Sequence, residues 1–98
     1  MNDEIGAILK GSYDLHVHAG PDPDQERRLD ALETGRHAYE AEMGGFVLKS
    51  HRYGTAPLAY VLDRMYPGLD VAGSIVLNTS VGGLNPDAVD VAGRLGAR

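Results

Sequence analysis

The feature that most constrains this chain is its rhythm. Three short runs rich in Val, Leu, Ile and Phe are each followed by a segment of helical spacing, and glycine or proline closes the units. A short helix is expected over Asp3–Leu9, ended by Gly11. Tyr13-Asp14-Leu15-His16-Val17-His18 then reads as a strand, and Gly20-Pro21-Asp22-Pro23-Asp24 halts any regular element. Asp30 with Glu33 three residues on forms a capping box for a helix running to Met43 and stopped by Gly44-Gly45. Gly45–Ser50 reads as a second strand. Thr55 is the expected cap of a helix with Leu58, Val61, Leu62 and Met65 on one face, ended at Pro67-Gly68. Asp70–Leu77 is the third strand. Asn85 caps a last helix with Pro86 in its first position, an apolar stripe of Val89, Ala92 and Leu95, and Gly96 as the stop.

Alternating strands and helices predict an α/β fold with a parallel sheet. The expected architecture is the first three β/α units of a TIM-like barrel, with residues 1–98 as the N-terminal part of that domain. A closed barrel needs eight units and roughly 250 residues, so the chain reads as truncated where Gly96-Ala97-Arg98 opens a fourth strand. The alternative is a complete three-stranded domain, which would leave its sheet edges poorly covered.

Composition narrows the function. There is no cysteine, so any metal must be held by nitrogen and oxygen ligands. The net charge is −5 with both signs interspersed, which argues against a nucleic-acid partner. No apolar run approaches the roughly 20 residues of a membrane span, and the acidic start lacks a signal-peptide pattern. A cytoplasmic protein acting on a small molecule is the default expectation. A Cys nucleophile, a G-x-S-x-G elbow, a Walker loop and a dinucleotide fingerprint are all absent.

Strand alternation places Asp14, His16 and His18 on one face and Tyr13, Leu15 and Val17 on the other. Three polar groups against an apolar core are costly unless paired or bound to an ion. The histidines also stand at the C-terminal end of their strand, the end where barrel enzymes keep their active sites. By spacing alone, His-x-His reads equally well as two solvent-facing imidazoles. The second strand adds His51 just past its C-terminal end and Lys49 on the same face. Three histidines with a water make a workable catalytic zinc set, so His16, His18 and His51 are the candidate metal ligands. His37, mid-helix, reads as a surface residue. Lys49, Asp22 and Arg28 are the candidate catalytic residues. Lys49 is suited either to a substrate carboxylate or phosphate or to a salt bridge with Asp14. Asp22 or Asp24 is placed to ligate metal or act as a base, unless the run is only solvated. One of Arg27 and Arg28 is placed to grip an anionic substrate. Gly82-Gly83-Leu84-Asn85-Pro86 leads into a helix N-terminus, a place that suits an anion and equally a tight turn.

Tyr13-Asp14-Leu15-His16-Val17-His18 resembles the first-strand Asp-x-His-x-His signature of the amidohydrolase superfamily and of the related polymerase-and-histidinol-phosphatase (PHP) superfamily. Residues 14–22, 45–51 and 82–86 are similar to the corresponding stretches of a group of uncharacterised amidohydrolase-like proteins. The resemblance spans nearly the whole chain, but only the front of such a protein. It implies a divalent metal, zinc first, that activates water, with His16 and His18 as ligands. His51 resembles the second-strand metal ligand of PHP proteins. The carboxylated lysine of many amidohydrolases lies on their fourth strand, so that role is not carried over to Lys49. The expectation is a metal-dependent hydrolase of an amide, cyclic amide or ester bond; the alternatives are a PHP-like phosphoesterase and a non-catalytic metal-binding fragment. The parent protein is expected to be the enzyme and this stretch alone to be inactive, because later ligands of such enzymes lie beyond Arg98.

Overall fold

The computed structural model describes residues 3–98. Its elements are α1 (Asp3–Leu9), β1 (Tyr13–His18), α2 (Ala31–Glu40), β2 (Gly45–Lys49), α3 (Ala56–Met65), β3 (Asp70–Ala72), a 3-10 turn (Thr79–Val81) and α4 (Pro86–Arg94). The strands form one parallel sheet in the order β1-β2-β3. This is a small α/β unit of the kind the strand–helix rhythm predicts.

One side of the sheet carries the core. Phe46 and Leu48 of β2 and Val71 of β3 pack with Ala31 and Ala38 of α2 and Ala59 and Leu62 of α3. Crossovers of one hand that step the same way across a sheet leave their helices on the same side. The other side is open: Leu15 is 70 % exposed and Tyr13 56 %. Gly45 is needed where β2 meets β3, because a Cβ there would collide with the backbone carbonyl of Asp70.

The capping box of α2 forms as expected. Asp30 accepts from the Glu33 amide at 2.7 Å, and Glu33 accepts from the Asp30 amide at 3.2 Å. The helix stops earlier than Met43, at Glu40, because Glu42 turns left-handed at φ 57°. The Met43 amide then donates to the Ala38 carbonyl, closing the helix end. In α4, Asn85 caps the Ala88 amide as expected. The apolar stripe there is weaker than its spacing suggests: Ala92 is buried, while Val89 and Leu95 are each nearly half exposed.

Two expectations about the middle of the chain are corrected. The first concerns α3. Leu62 is buried and Leu58 packs against the core, but Val61 and Met65 face outward; the inner face is Ala56, Ala59 and Leu62. Thr55 precedes the helix without capping it by its side chain. Its buried hydroxyl instead meets the Leu48 carbonyl at 2.6 Å and accepts from the Ser74 amide at 2.9 Å. The second concerns β3, which ends at Ala72 rather than Leu77. Gly73 lies so close to the Ala56 backbone that a Cβ would collide with it. Beyond that point the backbone of Ser74 bonds Thr55 instead of the backbone of a neighbouring strand. The Ser74 hydroxyl also donates to the Leu48 carbonyl, at 2.9 Å. The ladder is thus replaced by a buried Thr–Ser splice that ties the end of β2 to the chain leaving β3.

Candidate metal centre

The site grows from an irregularity in β1. Asp14 pairs with Phe46 and Val17 with Leu48, so Leu15 and His16 together oppose Val47. This is a β-bulge, which leaves an amide without a ladder partner. The carboxylate of Asp14 accepts from the His16 amide at 3.0 Å and satisfies it.

The bulge corrects the expected facing of the strand. Asp14 and Val17 both line a depression against α2, with Thr34, Ala38 and Met43. Tyr13, Leu15 and Val47 line the open side. Asp14 is therefore on the helix side of the sheet. A simple alternation cannot put Asp14 and Val17 on one side, and the extra residue does. Of the two uses open to Lys49, the salt bridge with Asp14 does not form among the described residues.

Beyond the bulge three imidazoles gather. The Nε2 atoms of His16 and His18 lie 2.9 Å apart, and their ring centroids 4.9 Å. His51 stacks on His18 with centroids 4.9 Å apart and planes inclined by 23°. Lys49 is the direct register partner of His18 on β2. The pKa of His18 is lowered, first by desolvation and then by the charges of Arg27, His16, His51 and Lys49. A neutral His18 suits the contact with His16, which requires one ring to present a bare nitrogen.

Two nitrogens bound to one tetrahedral zinc at about 2.0–2.1 Å stand roughly 3.3 Å apart. The His16–His18 pair is closer than that, at hydrogen-bond distance, and His51 lies alongside His18 in a stack. Consistent with this, no group of three or more His, Cys, Asp or Glu stands as a ready-made ligand set among the described residues. The donor chemistry fits a divalent metal, and an opening of the pair by a few tenths of an ångström brings the nitrogens to zinc spacing.

The loops around the histidines are stapled together. Gly20 and Asp30 form an isolated parallel bridge that closes the β1–α2 loop. Within it Asp22 holds Arg27 at 2.8 Å and accepts from the Asp24 amide at 2.9 Å. These two bonds lower the Asp22 pKa, the backbone one first. Arg52 from the β2–α3 loop reaches Asp24 at 2.8 Å, and the Tyr53 hydroxyl donates to the Pro21 carbonyl at 2.6 Å. Desolvation raises the Tyr53 pKa, with a smaller push from the charge of Asp22. Asn78 donates to the His51 carbonyl at 2.8 Å, tying the chain after β3 to the same rim.

Of the two loop arginines, Arg27 acts on His18, while Arg28 is exposed and distinguished by no contact. Tyr53 carries no sequence signal that singles it out, whereas Arg52, with Lys49 and Arg27, is legible as part of a basic rim. The candidate anion site before α4 is taken up by the protein itself, since Asn85 accepts from Ala88 and donates to the Val81 carbonyl. His37 is exposed on α2, as expected.

No helix among the described residues is long and apolar enough to cross a membrane. Neither a curated protein nor a solved structure matches the chain. A family model described as a family of unknown function, DUF6282, matches residues 11–98. That match takes in the bulged strand, all three site histidines and every rim loop, and the chain belongs to this DUF6282 family.

Proposed function

We propose that this chain is the metal-binding part of a metal-dependent hydrolase built on a larger β/α barrel. The observation that carries the reading is the gathering of His16, His18 and His51 at the C-terminal ends of two adjacent parallel strands. The resemblance of Asp14-Leu15-His16-Val17-His18 to the amidohydrolase and PHP first-strand signature supports it. His16 and His18 are the primary ligands, and His51, already in ring contact with His18, is the third. When bound, a divalent metal lowers the pKa of water to about 7 and so supplies a nucleophile at neutral pH.

The protein's own groups prepare that step. The surroundings of His18, desolvation first, favour its neutral ring, the form in which imidazole binds metal. Asp14 fixes the backbone of His16 and so the aim of its ring. Asp22 is a poor general base, because its bonds to Arg27 and the Asp24 amide stabilise the charged form. It serves instead to fix Arg27 beside the histidines. The bond cleaved in this reading is an amide, cyclic amide or ester.

A zinc titration tests the reading. Zinc is expected to bind the chain with a stoichiometry near one and to be lost when His16→Ala and His18→Ala are combined. Unchanged zinc binding in the double variant sinks the proposal. Hydrolytic activity is to be sought in a chain that carries the remaining units of the proposed barrel.

A further inference from the structure

Lys49 ends β2 beside His18, half-buried, on the strand face opposite Phe46 and Leu48. Among the described residues, Lys10, Arg27, Arg52, Arg94 and Arg98 pair with carboxylates; of the cations with no such partner, Arg28, Arg36 and Arg64 are exposed and Lys49 alone is half-buried. The nearby acids are already committed. Asp22 holds Arg27, Asp24 holds Arg52, and Asp14 lies across the sheet on the His16 amide. The other charged or chargeable groups acting at His18 are Arg27, His16 and His51. A half-buried ammonium with no carboxylate on it is open to an anion that arrives with a ligand.

We propose that Lys49 anchors an oxyanion, a carboxylate or phosphate group of the substrate, on the open face of the sheet beside His18 and His51. This deepens the hydrolase reading and rests on it for the anion being part of a substrate. Arg27 adds positive potential but has its Nε engaged by Asp22, so Lys49 supplies the anchoring bond. A substrate of this class would be oriented by its anionic group, with its scissile bond turned toward the histidines.

The test uses the full chain with chelator present, titrated separately with inorganic phosphate and succinate and followed by the NMR shifts of Lys49 and His18. Saturable binding of at least one anion is expected. Lys49→Gln is expected to weaken it by about tenfold, the scale of one charge-assisted hydrogen bond. Lys49→Arg retains most of it, and Arg64→Gln, on exposed α3 surface, leaves it unchanged. The stronger of the two anions identifies the phosphate or carboxylate source. The proposal is overturned if neither anion saturates, or if folded Lys49→Gln and wild type bind alike. A zinc titration of the same protein variants, after removal of the chelator and in buffer free of both anions, separates the two readings. Zinc binding without anion binding overturns only the Lys49 assignment; Lys49-dependent anion binding without zinc binding overturns only the metal reading.

Discussion

His18 and His51 stack at the ends of two adjacent strands, with ring centroids 4.9 Å apart, although 33 positions separate them in the chain (51 − 18). The contact follows from the parallel register that sets His18 against Lys49. It places the second-strand histidine beside the first-strand pair without any loop rearrangement.

Asp14 is expected to act on metal binding without being a ligand. Its carboxylate holds the His16 amide inside the bulge. Asp14→Ala should weaken zinc binding by roughly 10-fold or more, the usual scale for an outer partner of a metal ligand. Competition with a chromophoric chelator measures this. Equal affinity in Asp14→Ala and wild type would show that the bulge holds His16 unaided.

Acidification should destabilise the metal-free chain through His18. Its folded pKa is lowered below 6.5, so folding favours the neutral ring. The stabilisation is fully present above pH 6.5 and is lost as pH falls from there through the folded pKa. Urea unfolding between pH 7.5 and 5 should therefore show a steeper loss for wild type than for His18→Gln. Parallel pH profiles would contradict this assignment.

The Thr55 hydroxyl is expected to matter for stability far more than an ordinary cap. It is fully buried, and its removal would leave the Ser74 amide and weaken the bonding of the Leu48 carbonyl. Thr55→Val should cost about 1–3 kcal/mol, the penalty for buried unsatisfied polar groups, whereas Thr55→Ser keeps the hydroxyl. Denaturant midpoints of the two variants decide it; a harmless Thr55→Val contradicts the splice.

The faces of α3 can be told apart by truncation. Leu62→Ala should cost about 2–5 kcal/mol as a core deletion. Val61→Ala should stay within about 0.5 kcal/mol, because Val61 is 51 % exposed. Comparable losses at both positions would restore the face inferred from spacing.

The rim clamps should differ in kind from the core. Arg52–Asp24 joins two half-exposed side chains, and such pairs contribute less than about 1 kcal/mol. Arg52→Ala should thus leave the thermal midpoint nearly unchanged while hydrogen exchange rises across residues 21–29. Exchange confined to residues 50–55 would show that the β1–α2 loop is held by other bonds.

Much of the framework is legible in the sequence because its signals are local. Asp30 with Glu33 is a capping box, and Asn85 with Pro86 is a helix start; both form within four residues of chain. β1 runs over Tyr13–His18, the segment its strand-forming residues mark out. The extent of β3 is not legible in this way. Asp70–Leu77 has strand composition throughout, but Gly73 must pass close to Ala56, and that contact ends the ladder. Thr55 looks like an N-cap from its neighbours and is claimed by Leu48 and Ser74 from elsewhere in the fold. At the site, the gathering of His16, His18 and His51 is implied by parallel pairing, while the position of Asp14 is not. A period-2 reading assumes an unbroken ladder, and one extra residue at Leu15-His16 reverses the facing of what precedes it.

The sequence by itself determined the order of elements, the direction of the strands and the residue types available as ligands, because capping, turn chemistry and hydrophobic period act over a few residues. Tertiary structure decided the bulge that parts Asp14 from the histidines, the choice of Arg27 over Arg28 beside His18, and the lysine left without a counter-ion. Those outcomes depend on which distant group reaches a given hydrogen bond or charge first, and that competition is resolved only when the strands and loops are brought together.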